Sequence, residues 1–121
     1  MTLYLRRRTI GAVQEPTFLI LTALAAQPLH GYGIVQAVAQ LSDGEVRLRP
    51  GTLYGALDRL DQQGLIALDR EEPVDGRLRR YYRLSESGTT ALAEQVDHLR
   101  RRADVAAGQL RLRPGFSGGA A

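Results

Sequence analysis

The chain has no cysteine, no tryptophan, no lysine and one methionine in 121 residues. Without cysteine there is no disulfide and no thiolate metal site. The two histidines, His30 and His98, lie far apart in unrelated stretches, and each stands alone. His30, in a Gly-flanked turn, reads as a structural hydrogen-bonder. No metal triad, no nucleophile with its base and no phosphate loop can be assembled, and Asp58 and Asp61 read as ordinary helix surface, so an enzyme is not expected. No apolar run reaches the roughly 18 residues that a membrane span needs. The opening segment, MTLYLRRRTIGAVQEP, has an arginine cluster but no long apolar core after it, so a secretory leader is not expected. The cytoplasm is the expected compartment. No cofactor is implied.

What is present is a modest apolar fraction, 44%, enough for one small domain with an appended element. All 16 cationic side chains are arginine, the net charge is +3 and the isoelectric point is about 9.8. The arginines cluster at 6–8, at 47 and 49, at 77, 79, 80 and 83, and at 100–102. Each cluster reads either as solvated surface or as a contact to nucleic-acid phosphate. The cluster beside a glycine turn between two strand-like runs tilts toward contact.

The stretch that orders the rest is Arg49–Leu65, RPGTLYGALDRLDQQGL. Leu53, Leu57 and Leu60 recur at helical spacing and form one apolar face. Pro50 suits a first helical turn and Gly64 a stop. The opposite side carries Thr52, Gly55, Asp58, Arg59 and Gln62, with Tyr54 on its flank. Strand-like runs follow at Leu65–Glu71 and Leu78–Leu84, joined by Glu72–Arg77 with its Asp75-Gly76 turn. In the second run Leu78, Tyr82 and Leu84 face one way, with Tyr82 expected in the core. A helix followed by a basic hairpin is the layout of a winged helix-turn-helix.

Ahead of it, Pro16 opens a helix, PTFLILTALAAQ, apolar nearly all round, which suggests a partner surface. His30-Gly31-Tyr32-Gly33 reads as a turn. A second helix over Gly31–Leu41 has Tyr32, Val35, Val38 and Leu41 as its core stripe. Ser42-Asp43-Gly44 breaks it, and Glu45–Leu48 has the alternation of a short strand. Ser85 is a good N-cap for a last helix, Glu86–Leu112, in which Gly88 is an early weak point. There Leu92, Val96, Leu99, Ala103, Ala106 and Leu110 alternate steps of four and three, a coiled-coil seam. The seam either joins two copies or packs back on its own domain. With the apolar first helix, Phe18 included, the balance favours a homodimer. The expected fold is thus mainly α with a small β-wing. Residues 1–14 are a flexible basic arm, 15–84 the winged-helix domain, 85–112 a dimerisation helix and 113–121 a disordered tail.

Three motifs in order, LHGYGI at 29–34, PGTLYGALDRLDQQGLI at 50–66 and GRLRRYYRLSESG at 76–88, resemble the PadR family of bacterial transcriptional regulators. The single last helix resembles the smaller subgroup that dimerises through it. The resemblance implies a homodimeric repressor on an inverted-repeat operator, released in many members by a small aromatic or cationic hydrophobic effector. Two departures stand out. Arg49 replaces a small hydroxyl residue ahead of Pro-Gly-Thr, and no tryptophan is present to stack on a drug.

On this reading Pro50, Gly51, Thr52, Tyr54 and Gly55 start a helix that enters the major groove of double-stranded DNA. Thr52 and Tyr54 donate to phosphates or base edges, although Tyr54 also fits the core. Arg59 suits a phosphate, and Arg77 and Arg79 form the wing tip. Arg6–Arg8 suit an arm along the backbone. Leu21, Val96 and Leu99 would line an effector space between two copies. The rival reading is a winged-helix protein–protein interaction module that does not bind DNA. It predicts an acidic or apolar outer face on helix 50–63.

Overall fold

A computed structural model describes residues 15–115. The basic arm, with Arg6–Arg8, and residues 116–121 of the tail lie outside the described residues. The elements run α1 (Glu15–Ala26), β1 (Leu29–His30), α2 (Gly31–Leu41), α3 (Pro50–Gln62), β2 (Ile66–Val74), β3 (Arg77–Leu84) and α4 (Glu86–Leu112). The fold is mainly α with a small antiparallel sheet in the order β1-β3-β2, a winged helix with a long last helix.

Helix α1 is central. Leu19, Ile20, Leu21, Ala23 and Leu24 are buried in it, and α2, β3 and α4 all pack against it. The cover that its apolar surface needs therefore comes mostly from its own chain, and half-buried Phe18 lies at the margin.

Helix α2 starts at Gly31 as expected, and His30, expected in a turn, is instead a strand end. Leu29 and His30 pair antiparallel with Tyr82 and Tyr81. Local composition cannot reveal this, because the partner lies fifty residues on. The same pairing explains why Glu45–Leu48 is not a strand. The place beside β3 is taken, and buried Leu48 instead anchors an irregular crossing.

In α2 the core stripe lies one residue from the expected one. Gly31, Ile34 and Val38 are buried, while Tyr32 is 66% and Leu41 51% exposed. A close approach by α3 fixes this rotation: a Cβ at Gly31 would lie 2.7 Å from the Tyr54 hydroxyl. Helix α3 buries Leu53, Leu57 and Leu60 as its spacing requires, with Ala56 beside them. It ends on Gly64 at φ 77°, where the amides of Gly64 and Leu65 reach the carbonyls of Asp61 and Leu60.

Asp75 (φ 52°) and Gly76 (φ 78°) both take left-handed backbone, the two-residue turn whose twist suits a hairpin. The strands therefore run almost to the turn, and Glu72–Val74 belong to β2 rather than to a loop. Pro73 is tolerated because β2 is a sheet edge. Tyr82 and Leu84 pack on the core, but Leu78, out along the wing, is exposed.

Ser85 Oγ accepts from the Gly88 amide at 2.9 Å and donates to the Gly64 carbonyl at 2.6 Å. It thus caps α4 and ties it to the end of α3. Gly88 is no weak point. It is buried, and a Cβ there would fall on the Leu65 carbonyl oxygen. The helix spans about 40 Å at the usual rise. Leu92 packs on the core and Gln95 is buried, but from Leu99 on its apolar side chains are largely exposed.

Candidate nucleic-acid interface

The start of α3 is open. Arg49, in extended backbone, precedes Pro50 and supplies no side-chain cap among the described residues. The amides of Gly51 and Thr52 precede the first intrahelical hydrogen bond, from Leu53 to Arg49, and so have no acceptor within the helix. Pro50, Gly51 and Thr52 are all exposed. Gly51 and Gly55 owe nothing to internal packing: a Cβ at Gly51 meets no atom within 4 Å, and one at Gly55 meets only Arg59 Nη1 at 3.8 Å. Their smallness leaves room for something outside. Arg59 is exposed in the last turn of the same helix.

Tyr54 has two engagements. Its ring is 52% exposed, while its hydroxyl lies against Gly31 at the start of α2. It borders a cleft of about 750 Å³ between α3 and the wing, lined also by His30, Tyr32, Asp58, Arg77, Arg79 and Arg80. Tyr54, Arg77 and Arg79 therefore share one cleft. Pro50, Gly51, Thr52, Gly55 and Arg59 lie outside its lining. His30 and Tyr32 are lining residues that sequence reasoning gave other places. Tyr32 was missed because its three-residue spacing to Val35 imitates a core stripe.

His30 packs edge-on against Tyr81, with ring centroids 5.2 Å apart, and its side chain does not cap α2. Among the described residues this aromatic contact is the one its ring makes in place of a helix cap. Burial holds its pKa below the ordinary imidazole value, and the nearby Arg79 charge lowers it further, against a raising influence from Glu72. On the other side of Tyr81 the Arg70 guanidinium lies 3.8 Å from the ring centroid. Arg70 also holds the Glu72 carboxyl below its usual range by a hydrogen bond.

The four wing arginines noted in the sequence are not equivalent. Arg80 pairs with Glu71 at 3.0 Å and Arg83 approaches Asp69 at 3.8 Å. Arg77 and Arg79 make no ion pair among the described residues. The signal for the Arg80 pair was available: counting back from a two-residue turn sets Glu71 opposite Arg80. The Asp69 contact was not, because it depends on a bulge that leaves Asp69 unpaired between Leu68 and Arg70.

The residues assigned to a dimer seam or effector space divide. Leu21 is 1% exposed and belongs to the protomer core. Leu92 and Val96 are half-buried, and Leu99, Ala103, Ala106 and Leu110 are exposed along α4. Among the described residues no group of three or more histidines and carboxylates is placed to hold a metal, and no helix is long and apolar enough to cross a membrane.

The model of the transcriptional regulator PadR-like family matches residues 20–94, more than half of the chain, including α3 and the wing. The chain belongs to this family. PadR-like proteins are regulators of transcription, not enzymes. Over 75 residues this PadR-like chain is 41% identical to the transcriptional regulator Rv3488 of Mycobacterium tuberculosis, covering 62% of this chain and 66% of that one. A PadR family transcriptional regulator from Eggerthella lenta superposes with a TM-score of 0.66 at 29% identity, over 93% of this chain and 91% of that one. Bacillus subtilis PadR, solved in complex with operator DNA, gives a TM-score of 0.61 at 21% identity, over 69% of this chain and 47% of that one. The last likeness is one of fold. The matches fall short of two thirds of the length of both the mycobacterial and the Bacillus proteins.

Proposed function

We propose that this PadR-like chain is a sequence-specific DNA-binding regulator, a cytoplasmic homodimer that represses from an inverted-repeat operator. One observation carries the reading: Arg77 and Arg79, without an ion pair among the described residues, stand across a cleft from Tyr54, on a helix whose start is bare and flanked by glycines without internal purpose. The open amides of Gly51 and Thr52 attract phosphate. With Gly51 and Gly55 offering no bulk, Thr52 and Tyr54 come within reach of base edges in the major groove. Arg59 takes a phosphate. Arg77 and Arg79 take the flanking backbone or a narrow minor groove. That the Bacillus relative was solved with operator DNA supports this assignment.

Two copies meet along Leu92, Val96, Leu99, Ala103, Ala106 and Leu110, with Phe18 at the edge of the contact. An apolar effector would sit between them beside Val96 and Leu99. Leu21 would act there only as the wall behind. Such a ligand releases DNA by changing the separation of the two α3 helices.

The test is binding of the duplex upstream of the chain's own coding region, set against a mixed-sequence duplex, across a range of salt. The purified chain should sediment as a dimer and prefer the upstream duplex. Arg77→Ala with Arg79→Ala should weaken both duplexes and flatten the salt dependence by about two per protomer. Thr52→Ala should cost the upstream duplex more than the other. A chain that sediments as one copy and ignores duplex DNA at low ionic strength overturns the reading.

A further inference from the structure

Five arginines stand on the two wing strands, and they divide by position. Arg70, Arg80 and Arg83 lie on the shank. Arg70 Nε donates to Glu72 Oε2 at 2.9 Å and its Nη1 to Asp69 Oδ2 at 3.0 Å, while its plane stacks on Tyr81. Arg80 Nε donates to Glu71 Oε2 at 3.0 Å, and Arg83 lies near Asp69. Arg77 and Arg79, at the tip, make no ion pair among the described residues. Yet Arg80 lines the same cleft as Arg77 and Arg79. Its distance from the duplex would not keep it from a phosphate.

We propose that Glu71 and Glu72 are specificity-determining residues: they hold Arg80 and Arg70 as internal counterions, so that within the wing only the tip contributes phosphate contacts. This rests on the DNA-binding reading above. An arginine paired with a carboxylate has no net charge to offer. If a phosphate takes the arginine, the stranded carboxylate must recover a cation and repels the duplex, so little net counterion release is gained. A free arginine releases a counterion from any duplex, whatever its sequence. Each cation sheathed on the shank therefore removes affinity that random DNA and operator would share. The contacts at the start of α3, which tell sequences apart, are untouched. The ratio of specific to random binding rises.

The rigidity of the shank supports this. Arg70 is held by two carboxylates and an aromatic face at once, in the register that the two-residue turn sets opposite Tyr81. Three acidic residues, Asp69, Glu71 and Glu72, stand on β2 against three arginines. The tip carries Arg77 and Arg79, with Asp75 in the left-handed turn and Glu72 opposite Arg79, yet neither arginine makes an ion pair among the described residues.

The experiment compares wild type, Glu71→Gln, Glu72→Gln, Arg80→Ala and the Glu71→Gln/Arg80→Ala double variant. All are surface changes on the shank. Anisotropy titrations of a labelled mixed-sequence duplex and of the upstream duplex give the slope of affinity against salt. Glu71→Gln should steepen the slope by about 0.9 per protomer, and Glu72→Gln by less, since Asp69 still holds Arg70. They should tighten mixed-sequence binding and lower the preference for the upstream duplex. Arg80→Ala alone leaves Glu71 bare and should not steepen the slope. The double variant should return to the wild-type value, because Glu71 acts through Arg80.

An unchanged slope in Glu71→Gln overturns the proposal. So does a double variant as steep as Glu71→Gln, which would make Glu71 a simple repeller of phosphate. So does a double variant with a flatter slope than wild type, which would make Arg80 an existing contact. A wild-type chain that binds neither duplex defeats the DNA-binding reading itself. Normal wild-type binding with silent glutamate variants defeats only the sheath.

Discussion

The two halves of α4 are built from similar residues and have opposite surroundings. Over its first ten residues Gly88 is buried against Leu65, Leu92 packs on the core and Gln95 is enclosed. Over its last fourteen, Leu99 is 44% exposed, Leu110 45% and Val105 61%. Nothing in the seam residues themselves announces the change, since the spacing that begins at Leu92 continues unbroken to Leu110. The difference lies in what the rest of the chain can put over them. The first half is covered because α1 and the base of the wing end there. The second half has run past them. An isolated helix of that length is marginal in water, so the anchored half must start it. On the proposed assembly, the second copy finishes covering it.

The comparison breaks most sharply at Gly88. A Cβ there lands on backbone, the Leu65 carbonyl, which cannot swing aside as a side-chain tip would. Gly88→Ala must lift the start of α4 off the domain. It also strains the Ser85 cap, whose acceptor is the oxygen that bonds the Gly88 amide. A loss of about 3 kcal/mol or more in urea unfolding is expected, the class of effect that comes from forced overlap in a packed interior. A change within about 0.5 kcal/mol, the range of ordinary surface substitutions, would mean that this half is not seated as described.

The bare half should respond in the opposite way. Leu99→Glu with Leu110→Glu places charge on exposed positions and should leave the protomer folded, with unchanged far-ultraviolet circular dichroism. The sedimenting mass should halve. Affinity for the upstream duplex should fall by at least about tenfold, because two half-sites are no longer bound by one linked body. A double variant that still sediments as wild type would put the seam elsewhere.

How much of this was legible in the chain follows the same division between local and distant causes. Helix α3 was legible because Leu53, Leu57, Leu60, Pro50 and Gly64 each report on their own turn of backbone. The hairpin was legible from Asp75-Gly76, and the α4 start from Ser85. Strand β1 was not, since two residues become a strand only through Tyr81 and Tyr82. Tyr32 was placed in the core because sequence cannot show that Tyr54 presses on Gly31 and turns α2 by one residue. Gly88 looked like a helix weakness because propensity sees its missing side chain and not the carbonyl that needs the space. The exposure of the outer residues of α3 and of the tip arginines was readable from type and order. The approach of Arg83 to Asp69 was not, because it depends on a bulge.

The smallest effect is expected where the two halves meet. Gln95 is 6% exposed, and its Oε1 has no hydrogen-bond partner among the described residues. A buried acceptor without a partner is a cost that an apolar side chain of similar size does not carry. Gln95→Leu should therefore stabilise the chain, by up to about 1 kcal/mol. The gain should be the same at low and high protein concentration if the side chain belongs wholly to the anchored half. A loss of stability would show that Oε1 is partnered in solution. If that loss grew with protein concentration, the partner would come from the second copy, and the boundary between the two halves of α4 would move one turn toward its start.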